Sequence, residues 1–356
     1  MNKLLRHRLV LPIGALVALI LVNTIARPSF LSVTVRDGEL YGSIIDILRN
    51  SAPLMLVALG MTMVIATRGI DLSVGALMAV SGAVSLTIIA GSPRPNDLGV
   101  IAVAIGAGIA VTLIFGVWNG FLVAVVGIQP IIATLVLMLA GRGIALLITQ
   151  GFITTINSTP YQFMAQGYVF GLPFAFLVAV AAIIVVAIVE RRTALGMLTE
   201  AVGINPTASR LAGVRSRGII WGAYAGSGLL AGIAGILYSS NIMAADANSA
   251  GLNIEVDAIL AVVLGGTSLA GGKFTLAGTV IGVYTIQTLT STITFLGVPP
   301  VVTPVFKAAV IIIVCLAQSS RVKGWVRRLS AARPPAPPRT GAAAGEPVRL
   351  GQEVQV

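Results

Sequence analysis

Apolar runs long enough to cross a bilayer recur from one end of this chain to the other, and they constrain its fold more than any other feature. A helix of about 20 apolar residues matches the hydrocarbon core of a membrane. Within lipid every backbone amide must be bonded inside the chain, which leaves helices or a closed barrel. Barrel strands would alternate apolar and polar residues over roughly ten positions; these runs are continuous. The runs therefore predict an all-α fold, a polytopic transmembrane helical bundle. Ten helices are expected, at about 9–26, 52–67, 71–91, 98–126, 129–149, 171–189, 217–239, 254–267, 275–296 and 301–318. The fourth is long enough to tilt or to break near Trp118-Asn119-Gly120. The eighth is short enough to be a half-helix.

Charge sets the orientation. Charged residues make up 10% of the chain, against about 25% in a soluble domain. The net charge of +11 does not point to nucleic acid, because the basic residues lie between and beyond the apolar runs. That is the positive-inside pattern. Lys3, Arg6 and Arg8 precede the first run; Arg191, Arg192, Arg210, Arg215 and Arg217 follow the sixth; Arg321, Lys323, Arg327 and Arg328 follow the tenth. If all three groups are cytoplasmic, an even number of crossings separates each pair, which ten runs satisfy and nine do not. The expected organisation is a cytoplasmic N-terminus at 1–8, a transmembrane domain at 9–318 with a cytoplasmic loop at 190–217, and a basic tail at 319–356. The tail is rich in Ala, Pro, Arg and Gly and is expected to be largely disordered. The first run reads as an uncleaved helix, since Arg27-Pro28 follows a poor cleavage site at Thr24-Ile25-Ala26. Cys315 is the only cysteine and lies in an apolar run, so no intrachain disulfide forms.

Three motifs punctuate the runs. Gly69-Ile70-Asp71-Leu72-Ser73-Val74-Gly75 opens the third, where Asp71 and Ser73 are placed to cap the helix with side-chain oxygens. Either residue could instead contact a solute. In the cytoplasmic loop, after Glu200, Asn205 suits an N-cap, Pro206 the first helical position and Gly213 the left-handed residue beyond the last turn. A helix of about two turns fits between them, carries Arg210, and has the form required to dock into another protein. The third motif puts Glu255 and Asp257 at the outer edge of the eighth run and the glycine-rich Val263 to Lys273 at its inner edge. The latter is not a phosphate loop, because Thr267 stands where the first glycine is needed and Phe274 follows the lysine.

Polar groups inside the runs, Asn119, Gln129, Arg142 and Gln287, with Lys307, either line a pathway or bond between helices. An echo between Gly127-Ile128-Gln129-Pro130 and Gly297-Val298-Pro299-Pro300 suggests an inverted repeat of two five-helix halves. No catalytic or metal cluster is visible, and the single histidine is His7. An ion-driven secondary transporter would need an acidic site at the membrane midplane, yet every Asp and Glu lies near a run's end. A purely structural membrane protein would leave the cytoplasmic helix unexplained.

Taken in order over about residues 40–318, the G-I-D-L-S-V-G stretch, the cytoplasmic helix and V-V-L-G-G-T-S-L-A-G-G-K resemble the membrane subunits of ribose-type bacterial ATP-binding-cassette sugar importers. Val35 to Ser43, Asp46-Ile47-Leu48 and Ala245 to Leu252 resemble members that carry galactofuranose. One departure is Arg68, at a position usually small in the family. The resemblance implies an inner-membrane permease subunit, not an enzyme, for a monosaccharide of the galactofuranose or ribose type. It implies a cytoplasmic ABC ATPase that binds ATP and Mg, a periplasmic sugar-binding protein, and a second permease subunit, identical or related. It implies no cofactor in this chain and a coupling helix at Asn205 to Gly213, with Glu200, Asn205, Pro206, Arg210 and Gly213 as the coupling residues toward the ATPase; the charge parity puts both termini in the cytoplasm.

Overall fold

The computed structural model describes residues 9–297, 299 and 302–318. The expectations for the N-terminus and the basic tail, and part of the second echo, lie outside these residues. The described residues up to 312 form one compact unit; of the second, 313–356, only the C-terminal end of the last helix is described.

Helices occupy all ten apolar runs. They are α1 (Val10–Ala26), then after a short α2 (Ser43–Asn50) α3 (Ala52–Ala66), α4 (Val74–Ala90), α5 (Leu98–Phe121) and α6 (Pro130–Ile148). A short α7 (Thr159–Gln166) leads to α8 (Phe174–Arg192), and α9 (Ala194–Ile204) and α10 (Pro206–Leu211) lead to α11 (Ser216–Ile242). The chain closes with α12 (Ile254–Leu264), α13 (Leu276–Phe295) and α14 (Thr303–Gln318). Three two-stranded antiparallel pairs join loops: β1 (Thr34–Arg36) with β2 (Glu39–Tyr41), β3 (Thr154–Thr155) with β6 (Ala244–Ala245), and β4 (Tyr168–Val169) with β5 (Leu172–Pro173). The long fourth run does break beyond Asn119-Gly120: Leu122–Val126 is a π-helical turn that ends at Gly127 in the left-handed conformation. Among the described residues four helices are long and apolar enough to cross a membrane, α5 with its π turn, α6, α8 and α11; α2 and α3, bent by 43°, make a fifth if the pair is one span.

The position of each helix follows from its composition. α3 is apolar on every side and is buried at thirteen of its fifteen residues, so it is the centre of the bundle. α11, α12, α8 and α13 pack on it. α6 and α8 keep one face bare, with Leu139, Leu147, Val185 and Ile188 exposed. Apolar surface on that scale is covered by lipid in a membrane protein.

Small residues set the helix spacing, because lipid tails offer no hydrophobic drive for helices to associate and contact must come from close packing. A Cβ added to Gly60 of α3 would stand 2.9 Å from the Cα of Ser227 on α11. One added to Gly116 of α5 would stand 2.9 Å from the Cα of Gly228. Along α5, Thr112, Gly116 and Gly120 recur every four residues and face Gly232, Gly228 and Trp221 of α11 in turn. Gly60→Val should therefore force α3 and α11 apart and cost about 1–3 kcal/mol as overpacking. Thermal unfolding of the detergent-solubilised protein measures it; an unchanged midpoint would show that the contact does not hold the bundle.

Candidate functional site

Two breaks in the helical ladder meet inside the bundle. The first is the elbow 67–73 between α3 and α4. The second is the irregular segment 243–253 between α11 and α12. Ala245 packs with Leu86 and Ile89 near the far end of α4, whereas a Cβ on Gly75, in the first turn of α4, would meet the Gly251 carbonyl at 2.3 Å. Eleven helical residues separate those levels on α4, so the segment descends roughly 16 Å into the molecule. α12 then begins in the interior, and its eleven residues span only about half of a 30 Å hydrocarbon core. The eighth run is thus a half-helix. Glu255 and Asp257, expected at an outer edge, lie at its inward N-terminus, because the preceding segment re-enters. The side chain of Glu255 stands against Gly75.

Irregular backbone at this depth needs partners from the protein itself. Arg142 of α6 supplies two, its Nη1 donating to the carbonyls of Ala247 at 2.8 Å and Ala250 at 2.6 Å. Asp246 accepts from the Asn248 and Ser249 amides and from the Ser249 hydroxyl. Gly251 and Asn253 take positive φ, 65° and 62°, to turn the chain into α12. At that helix's first turns, Lys307 of α14 pairs with Asp257 at 2.7 Å. Asn248, Ser249 and Asn253 remain exposed, presenting amide and hydroxyl groups beside the two helix starts.

The elbow is closed instead. Asp71, Ser73 and Asn119 are each fully buried. Asp71 Oδ1 accepts from the Ser73 amide at 3.0 Å and the Ser73 hydroxyl at 2.6 Å, and Oδ2 accepts from the Ser227 hydroxyl of α11 at 2.8 Å. Asn119 Nδ2 of α5 donates to Ser73 Oγ at 3.0 Å. One carboxylate thus ties the elbow directly to α11, and through Ser73 to α5. The capping expectation holds for Asp71, which accepts from the Ser73 amide, and is corrected for Ser73: it is the N-cap residue of α4 but makes no side-chain cap bond, its hydroxyl donating to Asp71 and accepting from Asn119. The hydroxyl of Tyr224, packed on Gly69, and Asn119 Oδ1 are buried without a partner among the described residues. Ser227 and Tyr224 carry no signal in the sequence, since a lone serine and tyrosine in an apolar run have no periodicity.

The remaining residues singled out in the sequence are dispersed. Gln129 is exposed at the start of α6, and Gln287 is half-buried in α13. At the other end of α9, α10 is built as its residues dictate. Asn205 Oδ1 accepts from the Thr207 and Ala208 amides at 3.1 and 3.0 Å, Pro206 holds the first position, and Gly213 has φ 84°. Arg210 and Leu211 project outward, Leu211 at 87% exposure, and Met197 of α9 is exposed as well. Glu200 is half-buried on α9.

Replacing Asp71 with Ala would leave Ser73 and Ser227 without their acceptor, at about 3 kcal/mol for a buried charged partner. The expected result is a clear drop in the thermal midpoint in detergent, smaller for Asp71→Asn, which keeps one acceptor. Equal midpoints for Asp71→Ala and the native protein would contradict the bracing role.

Comparison with known proteins places this architecture. Residues 43–315 match the family described as branched-chain amino acid transport system / permease component. The chain is 48% identical over 308 residues, 86% of its own length and 88% of the relative's, to the galactofuranose transporter permease protein YtfT of Escherichia coli K12. It is 42% identical to the fructose import permease protein FruF of Bifidobacterium longum, covering 90% of each chain. It is 37% identical to the ribose import permease protein RbsC of Bacillus subtilis, covering 86% of this chain and 91% of that one.

Proposed function

The chain belongs to the family of permease components of branched-chain amino acid transport systems, and from that premise we propose that it forms the translocation pathway for a monosaccharide in an ATP-binding-cassette importer. The relatives named for galactofuranose, fructose and ribose support a sugar, of the galactofuranose or ribose type, as cargo. The subunit sits in a bacterial inner membrane, crosses it ten times and keeps both termini in the cytoplasm. It carries no cofactor; ATP and Mg are bound by a partner ATPase. A periplasmic binding protein delivers the sugar, and a second permease subunit, the same or a relative, completes the pathway.

The observation that carries the coupling role is α10: a six-residue helix, capped at its start by Asn205 and ended at Gly213, with Leu211 and Arg210 turned outward. An apolar tip beside a cation fits a groove on another protein. Glu200, Asn205, Pro206, Arg210 and Gly213 are assigned to this contact with the ATPase. For the pathway, Gln129, Arg142 and Gln287 are joined by Asn248, Ser249 and Asn253. The exposed amides and hydroxyl on the re-entrant segment suit a hydroxyl-rich solute better than a charged or apolar one. Asp71, Ser73 and Asn119 brace that pathway from behind.

The inverted repeat has support in packing. In the first half, α1, α3, α4, α5 and α6 take the five places; in the second, α8, α11, α12, α13 and α14. The second helices of the halves pack on each other at Gly60 and Ser227. Each third helix, α4 or α12, starts in the interior after an irregular segment and packs on the other half's second helix.

The structure removes the ground on which an ion-driven transporter was set aside, since Asp71 and Glu255 lie at run ends that are inside the molecule. Family membership supports an external energy source instead. Proteoliposomes carrying this chain with its ATPase and binding protein should take up sugar only with ATP. Uptake by the chain alone, driven by an ion gradient, would overturn the proposal. Gly213→Pro, whose ring cannot adopt positive φ, should leave the assembled complex hydrolysing ATP with uptake reduced on the order of tenfold or more, the scale of a broken helix end. Native uptake in that variant would count against α10 as the coupling element.

A further inference from the structure

Arg68 stands where three chain segments are knotted at one end of the bundle. It has φ 66°, a conformation that suits glycine and that L side chains rarely adopt. The arginine does not earn its place through backbone fit. Its guanidinium crosses to the carbonyl of Ile204, the last residue of α9 and the one before the Asn205 cap of α10. There it meets the negative end of the α9 dipole with a fixed cation. A Cβ on Gly271 would stand 2.3 Å from the Arg68 Cγ, so the loop between α12 and α13 must lack a side chain to let the arginine through. In the same knot the Gly272 amide donates to the Ala66 carbonyl at 3.0 Å, and a Cβ on Gly203 would meet that carbonyl at 1.9 Å.

Three residues beyond Arg68 is Asp71, the carboxylate that ties the elbow to α11 and, through Ser73, to α5. The elbow is short and Asp71 and Ser73 at its interior end are fully buried and bonded, so it has little room to absorb a displacement of its outer half. We infer that Arg68 is a positioning residue for coupling: it carries movement of α9 and α10 into the buried Asp71 cluster, and so into the segment where α4 and α12 begin. This rests on the proposed function, in which α10 meets the ATPase. Loss of the guanidinium would let α9 and α10 move without the elbow.

The test uses the assembled transporter in proteoliposomes, reading sugar moved per ATP hydrolysed, with Arg68→Gly, Arg68→Ala and Arg68→Lys beside the native protein. Arg68→Gly suits the backbone better than arginine does, so it separates the side chain's role from strain. The expected result is a ratio lowered roughly fivefold in Arg68→Gly and Arg68→Ala, the scale of one net hydrogen bond, with partial recovery in Arg68→Lys. A native ratio in Arg68→Gly would overturn the inference. So would failure of that variant to co-purify with the ATPase, which would make Arg68 part of the scaffold. Absence of ATP-driven uptake in the native protein would instead strike the proposed function, and this inference with it.

Discussion

A backbone that leaves the helical conformation inside a membrane must be satisfied by the protein around it, and this fold depends on meeting that demand twice. At the elbow, the Asp71 carboxylate takes three donors from Ser73 and Ser227. On the re-entrant segment, the Arg142 guanidinium binds the carbonyls of Ala247 and Ala250. Both ionisable residues looked like candidates for solute contact. In the fold, each spends hydrogen bonds on holding irregular chain in place. Two helix starts inside the molecule, those of α4 and α12, become possible because of them.

The second demand is proximity. With lipid on the outside, helices gain little by hiding apolar surface from one another, and association rests on contact. Gly60 against Ser227 lets α3 and α11 come close, and Gly82 and Gly235 at the contact of α4 with α11 let Ser81 reach the Gly232 carbonyl and Ser227 reach Asp71. Small residues therefore do more than fill space. They bring the polar groups of neighbouring helices within bonding distance.

Much of this was legible in the sequence. All ten apolar runs carry helices, the π turn falls just past the glycine where a break was expected, and the punctuation of α10 is as its residues require. The four-residue spacing of Thr112, Gly116 and Gly120 is itself a local signal of a close helix contact. Other features had no local signal. Ser227 and Tyr224 matter only because Asp71 and Gly69 lie opposite them. Ser73 looked like a cap, but its hydroxyl donates to Asp71 and accepts from Asn119 and makes no cap bond to α4.

What the sequence determined alone is the class of fold, its helices and their ends, because continuous apolar runs, caps and left-handed glycines are local matters of hydration and backbone sterics. The tertiary structure decided depth. An acidic residue at the end of a run reads the same whether that end faces water or the interior. Glu255 and Asp257 are inside because residues 243–253 fold back along α4, a path made possible by Arg142 more than a hundred positions away and by the close approach of Gly75 and Gly251. Such long-range pairings leave no periodic trace in the chain, and only the packed bundle brings them together.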